Sequence, residues 1–222
     1  MIKRITEQEG KHMVIFDLDG TLWDSADSVA ESWSMVIRSA GLDITVTADD
    51  IRRNMGKTMN DIADDLYGSL PAEERYALAR RCEVFENEYI AEHGGNLFEG
   101  VRETLQELHN AGVRMSIVSN CQEGYIPAFL VSMDMNRYFE DYEEWGRSGL
   151  LKADNIRLVM DRNGADKAVY VGDIQKDADA SAEAGVPCIW AAYGFGHINE
   201  PAGVLNKFSD LPQVLKDLGF LG

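Results

Sequence analysis

The hydrophobic pattern changes most sharply near the start of the chain. Met13-Val14-Ile15-Phe16 is an unbroken apolar run, and Asp17-Leu18-Asp19-Gly20-Thr21 follows directly. A short apolar run bounded by turn residues predicts a strand buried on both faces, ending where the aspartates begin. The period then becomes helical. Val29, Trp33, Val36, Ile37 and Ala40 fall on one face, and Gly41 stands where that helix would end. The stretches 47–68 and 71–95 predict further helices, with Gly68-Ser69 and Gly94-Gly95 as breaks. No strand pattern occurs between about 25 and 94.

Beyond residue 95 the two periods alternate. Val101, Leu105 and Leu108 mark a helix ending near Gly112, and 113–120 reads as a strand. A helix around 123–133 and another closing at Gly164 precede a strand at 168–173. A small-residue helix ends at Gly185, a strand covers 186–193, and a last helix covers 211–219. Alternation of this kind predicts an α/β fold: a Rossmann-like parallel sheet with helices on both faces. The expected core is 1–24 and 95–222, with a small α-helical cap, 25–94, inserted after the first strand.

Composition supports that reading and narrows the partners. The chain is 45% hydrophobic and 27% charged, enough apolar residue for a sizeable core. Its formal charge of −17 repels phosphate backbones and anionic lipid, so neither nucleic acid nor membrane is expected as a partner. Cys82, Cys121 and Cys188 have no metal-binding spacing and read as thiols of a reducing compartment. Residues 1–13 contain no signal-peptide apolar region, and no run is long enough to span a bilayer. A cytoplasmic monomer or homodimer is expected.

The chemistry is concentrated at predicted strand ends. Asp17 and Asp19, Ser119-Asn120, and Asp173 each close a strand, and sites in open parallel sheets lie beyond those ends. Asp177 follows Asp173 by four residues and would face the same way on a helix start. Carboxylates gathered in one cleft repel one another, and a hard cation such as Mg²⁺ would relieve the repulsion and draw in a phosphate. One carboxylate can then act as nucleophile and a second can protonate the leaving oxygen. In the predicted cap, "RRNMGKT" (52–58) concentrates positive charge. Arg52, Arg53 and Lys57 are candidates for a second anionic group, with Gly56 allowing a tight loop, or they form a solvated helix end. Trp23 would line the cleft or pack a hinge. Cys121 reads as a small apolar residue rather than a nucleophile.

"DLDGT" (17–21), "SN" (119–120), Lys152 and "GDIQKD" (172–177), in that order, resemble the four signature motifs of the haloacid dehalogenase superfamily. The resemblance runs over essentially the whole chain and includes a helical cap after the first motif. It implies Asp17 as nucleophile and Asp19 as general acid/base, with the Asp19 backbone carbonyl also on the metal. It implies Asp173 as the further Mg²⁺ ligand, Ser119, Asn120 and Lys152 around the phosphoryl group, and Thr21 and Asp177 in support. Many relatives have Lys-Pro at the third motif where this chain reads "KAD" (152–154), yet no other lysine lies between Lys57 and Lys167. The acid at Asp19 is absent from the dehalogenase branch and favours phosphoryl transfer. The expected activity is Mg²⁺-dependent hydrolysis of a small phosphorylated metabolite through an aspartyl phosphate, similar to phosphoglycolate phosphatases. The alternatives are a sugar-phosphate mutase of the β-phosphoglucomutase type, a phosphonatase using Lys57, and a non-catalytic phospho-binding protein.

Overall fold

The structure, a computed structural model, describes residues 11–221. In chain order its strands are β1 (His12–Phe16), β2 (Trp23–Asp24), β3 (Asn96–Leu97), β4 (Arg114–Ser119), β5 (Asp141–Glu144), β6 (Lys167–Gly172), β7 (Cys188–Ala191) and β8 (Gly203–Leu205). Its helices are α1 (Ala26–Ser39), α2 (Ala48–Asn54), α3 (Met59–Leu66), α4 (Ala72–His93), α5 (Val101–Ala111), α6 (Tyr125–Ser132), α7 (Trp145–Ser148), α8 (Lys152–Arg162), α9 (Gln175–Ala184) and α10 (Leu211–Asp217).

Six strands form one sheet in the order β5-β4-β1-β6-β7-β8, and each neighbouring pair is parallel. The central position of β1 explains its unbroken apolar run. Val14 and Phe16 enter the larger core on one face of the sheet, while Met13 and Ile15 enter a second core on the other. Because β4, β1 and β6 are adjacent, their carboxyl ends lie side by side, which brings together motifs separated by some 150 residues.

The helices α1–α4 form the cap. The chain leaves the core through β2 and returns through β3, which pair antiparallel with Trp23 opposite Leu97. Trp23 is fully buried there, against Tyr125 and Phe129, and a Cβ on Gly95 would come within 2.9 Å of its ring. Trp23 therefore packs the hinge. The stretch 47–68 is two helices rather than one, each capped by a threonine: Thr47 accepts from Asp50 N–H and Thr58 from Asp61 N–H. Between them Gly56 has φ +76°, and a Cβ there would lie 2.5 Å from Ile174 Cδ1. The cap loop thus rests on the core beside the last motif.

Two strands depart from the expected pattern. β5 reads "DYEE", with no apolar alternation, and β8 is three residues long. The acids of β5 have specific partners. Asp141 and Glu143 pair with Arg162, and Glu144 accepts from the N–H groups of Gly124 and Ile126 at the start of α6. Within the described residues no helix is long and apolar enough to cross a membrane. The reading of the first ten residues as lacking a signal sequence lies outside the described residues.

Candidate active site

Asp17 follows β1 and is buried, its backbone N–H bonded to the carbonyl of Val171 on β6. Lys152, the first residue of α8, reaches it from the side: Nζ lies 3.0 Å from Asp17 Oδ1 and 2.6 Å from Asp177 Oδ1. The other oxygen of Asp177 accepts from the backbone N–H groups of Asp173 and Ile174, at 3.1 and 3.2 Å. Asp177 therefore fixes both the lysine and the turn after β6. Asp173 accepts from the N–H of Phe195 at 2.8 Å, in the loop after β7. Glycines make that fit possible. Gly20, at φ +82°, has no room for a Cβ, which would lie 2.1 Å from Asp173 Oδ2; one on Gly194 would lie 2.4 Å from Asp173 Cβ.

The electrostatics follow from this geometry. Oxygens of Asp17, Asp173 and Asp177 lie within 4.8 Å of one another, all buried. Burial pushes the Asp17 carboxyl up; Lys152 opposes that and Asp177 adds to it. Burial, then Asp177 and Asp17, push Asp173 up as well. Burial would lower the Lys152 ammonium, but the two aspartates outweigh it and hold its pKa above the ordinary value. Fully ionised, three carboxylates beside one ammonium carry a net charge of −2. A divalent cation fits that deficit, and carboxylate oxygen is the donor that Mg²⁺ favours. Asp17 and Asp173 are the residues with side chains available to it, since both oxygens of Asp177 already have partners.

Asp19 lies outside this cluster. Its Oδ1 accepts from Ser25 Oγ at 2.7 Å, and the Tyr125 hydroxyl stands 2.9 Å from it and 2.7 Å from Ser25 Oγ. Burial raises the Asp19 carboxyl to about 6, with those hydroxyls drawing it back down. Two residues apart, Asp17 is held against an ammonium and Asp19 against neutral hydroxyls. Burial raises both carboxyls, so the difference between them lies in their partners, one charged and the other neutral.

Both aspartates line one cavity of about 50 Å³ between core and cap, together with Ser119, Asn120 and Cys121. Gly56 and Lys57 reach its wall from the cap, but Arg52 and Arg53 do not. Arg52 is held by Asp24, Asp27 and Asp49, and Arg53 by Asp50. Burial and nearby Glu144 hold the Cys121 thiol well above its ordinary pKa, unlike a nucleophilic cysteine. Thr21 contributes its backbone carbonyl to the Tyr193 hydroxyl at 2.8 Å; its own buried Oγ1 has no partner among the described residues. Four lining or supporting groups escaped the sequence reading: Ser25, Glu86, Gln122 and Tyr125. For Glu86 a signal was present, because it stands four residues from both Cys82 and Ile90 on the buried stripe of α4.

The chain resembles known proteins in sequence and in fold. The chain is 29% identical over 238 aligned residues to a phosphoglycolate phosphatase of Salmonella typhi, covering 89% of this chain and 90% of that one. It is 29% identical to one from Photobacterium profundum, covering 94% and 97%. A crystal structure of a predicted phosphoglycolate phosphatase from Haemophilus somnus superposes with a TM-score of 0.78 at 19% identity, covering 91% and 96%, and shares the fold. Residues 14–191, from β1 to the end of β7, match one family throughout: the chain belongs to the haloacid dehalogenase-like hydrolases.

Proposed function

We propose that the chain is a Mg²⁺-dependent phosphatase that hydrolyses a small phosphorylated metabolite through a phosphorylated Asp17. The observation that carries this reading is the pairing of environments at Asp17 and Asp19, which open into one cavity from opposite electrostatic settings. A bound Mg²⁺, held by Asp17, Asp173 and the backbone carbonyl of Asp19, would neutralise phosphoryl charge. Lys152 holds Asp17 in place and adds positive charge beside the phosphoryl group. Ser119 and Asn120, at the end of β4, line the same wall and would take phosphoryl oxygens.

Hydrolysis then runs in two displacements. An Asp17 carboxylate oxygen forms a bond to phosphorus as the ester P–O bond breaks, and Asp19 gives its proton to the leaving alkoxide. Asp19 next takes a proton from water, whose oxygen attacks phosphorus. The Asp17–phosphorus bond breaks, and inorganic phosphate leaves. The cap, 25–94, closes over the reacting groups and excludes bulk water. A mutase would hold a second phosphate in the cap. The arginines of 52–58 are both engaged by aspartates outside the cavity, which favours hydrolysis.

The test is phosphate release from a panel of phosphate monoesters, with and without Mg²⁺, beside Asp17→Asn. Mg²⁺-dependent release is expected in the wild type, with a loss of at least ~10³-fold in the variant. Undiminished release from Asp17→Asn removes Asp17 as nucleophile.

A further inference from the structure

The part of the cavity beyond the phosphoryl groups has a distinct chemistry. Its cap side is mainly apolar, formed by Val29, Trp33, Ile51, Met55, Met59 and Ile62, with Asn54 and Lys57 among its polar exceptions. Set into that wall is one buried carboxyl, Glu86 of α4. Its Oε2 accepts from the indole N–H of Trp33, and its Oε1 accepts from Gln122 Nε2 at 2.9 Å. A carboxyl oxygen has two acceptor sites, so each oxygen keeps one beyond these bonds. Burial pushes the Glu86 carboxyl up to about 8, so near neutral pH one of those two positions holds a proton that can be donated while the other still accepts.

Among the described residues the single cation on the cap side of this wall is Lys57, and it already has partners. Its Nζ donates to Asn54 Oδ1 and to Asp65. A carboxylate or second phosphate brought here would lose its water against an apolar surface. Among the described residues it would find no unpaired cation on that side, and an anion beside Glu86 would work against the further ionisation of that carboxyl. An alcohol loses far less on the same transfer, and a hydroxyl on it finds a hydrogen-bond partner in Glu86.

We infer that this cavity takes the leaving group of a phosphate monoester of a small, uncharged alcohol bearing a further hydroxyl, and that Glu86 reads that hydroxyl. The inference rests on the phosphatase reading and sets its substrate class apart from the carboxylate-bearing phosphoglycolate.

Three matched probes test it: 2-hydroxyethyl phosphate, n-propyl phosphate and 2-phosphoglycolate. They differ at the end of the leaving group, which is hydroxyl, methyl or carboxylate. For the wild type with Mg²⁺, kcat/KM is expected to be highest for 2-hydroxyethyl phosphate, at least tenfold above 2-phosphoglycolate. Glu86→Met is expected to shrink the hydroxyethyl-to-propyl ratio at least threefold, mainly through KM. Should that variant fail to fold, the wild-type ratios alone decide. Preference for 2-phosphoglycolate, lost in Lys57→Met, overturns the inference and leaves the phosphatase reading standing. Binding is measured in parallel by calorimetry on Asp17→Asn with Mg²⁺, or on the wild type if it turns over none of the three. If the wild type turns over none of the three, tighter binding of 2-hydroxyethyl phosphate than of 2-phosphoglycolate upholds the hydroxyl preference of the cavity and overturns the phosphatase reading. Equal or tighter binding of 2-phosphoglycolate overturns the inference.

Discussion

At the residue scale, two identical side chains two positions apart acquire different chemistry from what touches them. Asp17 meets the Lys152 ammonium at 3.0 Å, while Asp19 meets the hydroxyls of Ser25 and Tyr125. Tyr125 has one proton to give, so it steadies the Ser25–Asp19 pair as a network rather than as a separate bond. Its function in the proposed mechanism is to orient Asp19 toward the leaving oxygen. Tyr125→Phe removes that hydroxyl and keeps the ring that packs against Trp23. For an alkyl phosphate, whose leaving oxygen needs a proton, kcat/KM is expected to fall by roughly tenfold, less than the ~10²–10⁴-fold of a whole general acid because Ser25 still holds Asp19. For p-nitrophenyl phosphate, whose leaving group departs as a stable anion, the fall is expected to be less than about twofold. Equal losses with both substrates would make Tyr125 a packing residue only.

At the element scale, α4 joins cap to core through a few polar side chains on an otherwise apolar contact. Glu86 bonds Trp33 of α1 and Gln122 of the core, and the neighbouring Asn87 donates to the Glu123 carbonyl at 2.8 Å. Burial raises the Glu86 carboxyl from 4.5 to about 8; the hydrogen bonds from Gln122 and Trp33 lower it, and Asp19 and Glu83 raise it further. The folded state therefore binds a proton that the unfolded chain releases between about pH 4.5 and 8. Stability from this group is present below pH 4.5 and is lost as pH rises through 8. Glu86→Gln lacks that loss. The wild-type advantage over the variant is expected to narrow between pH 5.5 and 7.5, by at most about 1.4 kcal/mol per pH unit, in denaturant unfolding. Parallel curves would show that Glu86 titrates as it does in the unfolded chain. The same helix shows where sequence reading reaches its limit. Its limits and its breaks were legible from Pro71 and Gly94-Gly95, and the buried stripe passes through Glu86. A charged residue on a stripe is normally read as a surface position, so its partner across the fold goes unseen. β5 was hidden for a related reason: its acids are matched to Arg162 and to the start of α6, and only tertiary structure supplies those partners. By contrast β1, β4 and β6 carry long apolar runs whose burial needs no particular partner, and their polar ends pointed to Asp17, Ser119 and Asp173 directly.

At the scale of the whole molecule, the parallel sheet gathers negative charge into one buried place on a chain that already carries −17. The sheet order forces this: β1 sits between β4 and β6, so Asp17 and Asp173 must meet beyond their ends. One ammonium from α8 offsets part of that charge, and the remainder opposes folding; in the proposed reading a bound cation relieves it. Mg²⁺ binding should therefore appear as stability, independently of turnover. A cation bound to the folded state alone at one hundred times its Kd adds about 2.7 kcal/mol. In a chain of 222 residues that corresponds to a rise in Tm of roughly 5–10 °C. The acidic surface complicates the measurement, because any salt screens it. Asp173→Asn separates the two effects. It changes the formal charge by one unit, so surface screening is almost the same, while one of the two side-chain donors becomes a neutral amide. Without Mg²⁺ the variant is expected to melt at or above the wild-type temperature, since a buried repulsion has been removed. With Mg²⁺ only the wild type should gain, beyond the rise that choline chloride at equal ionic strength gives to both. An equal gain in the two proteins would place the cation on the surface. The cluster of Asp17, Asp173 and Asp177 would then be balanced by Lys152 and by protons alone.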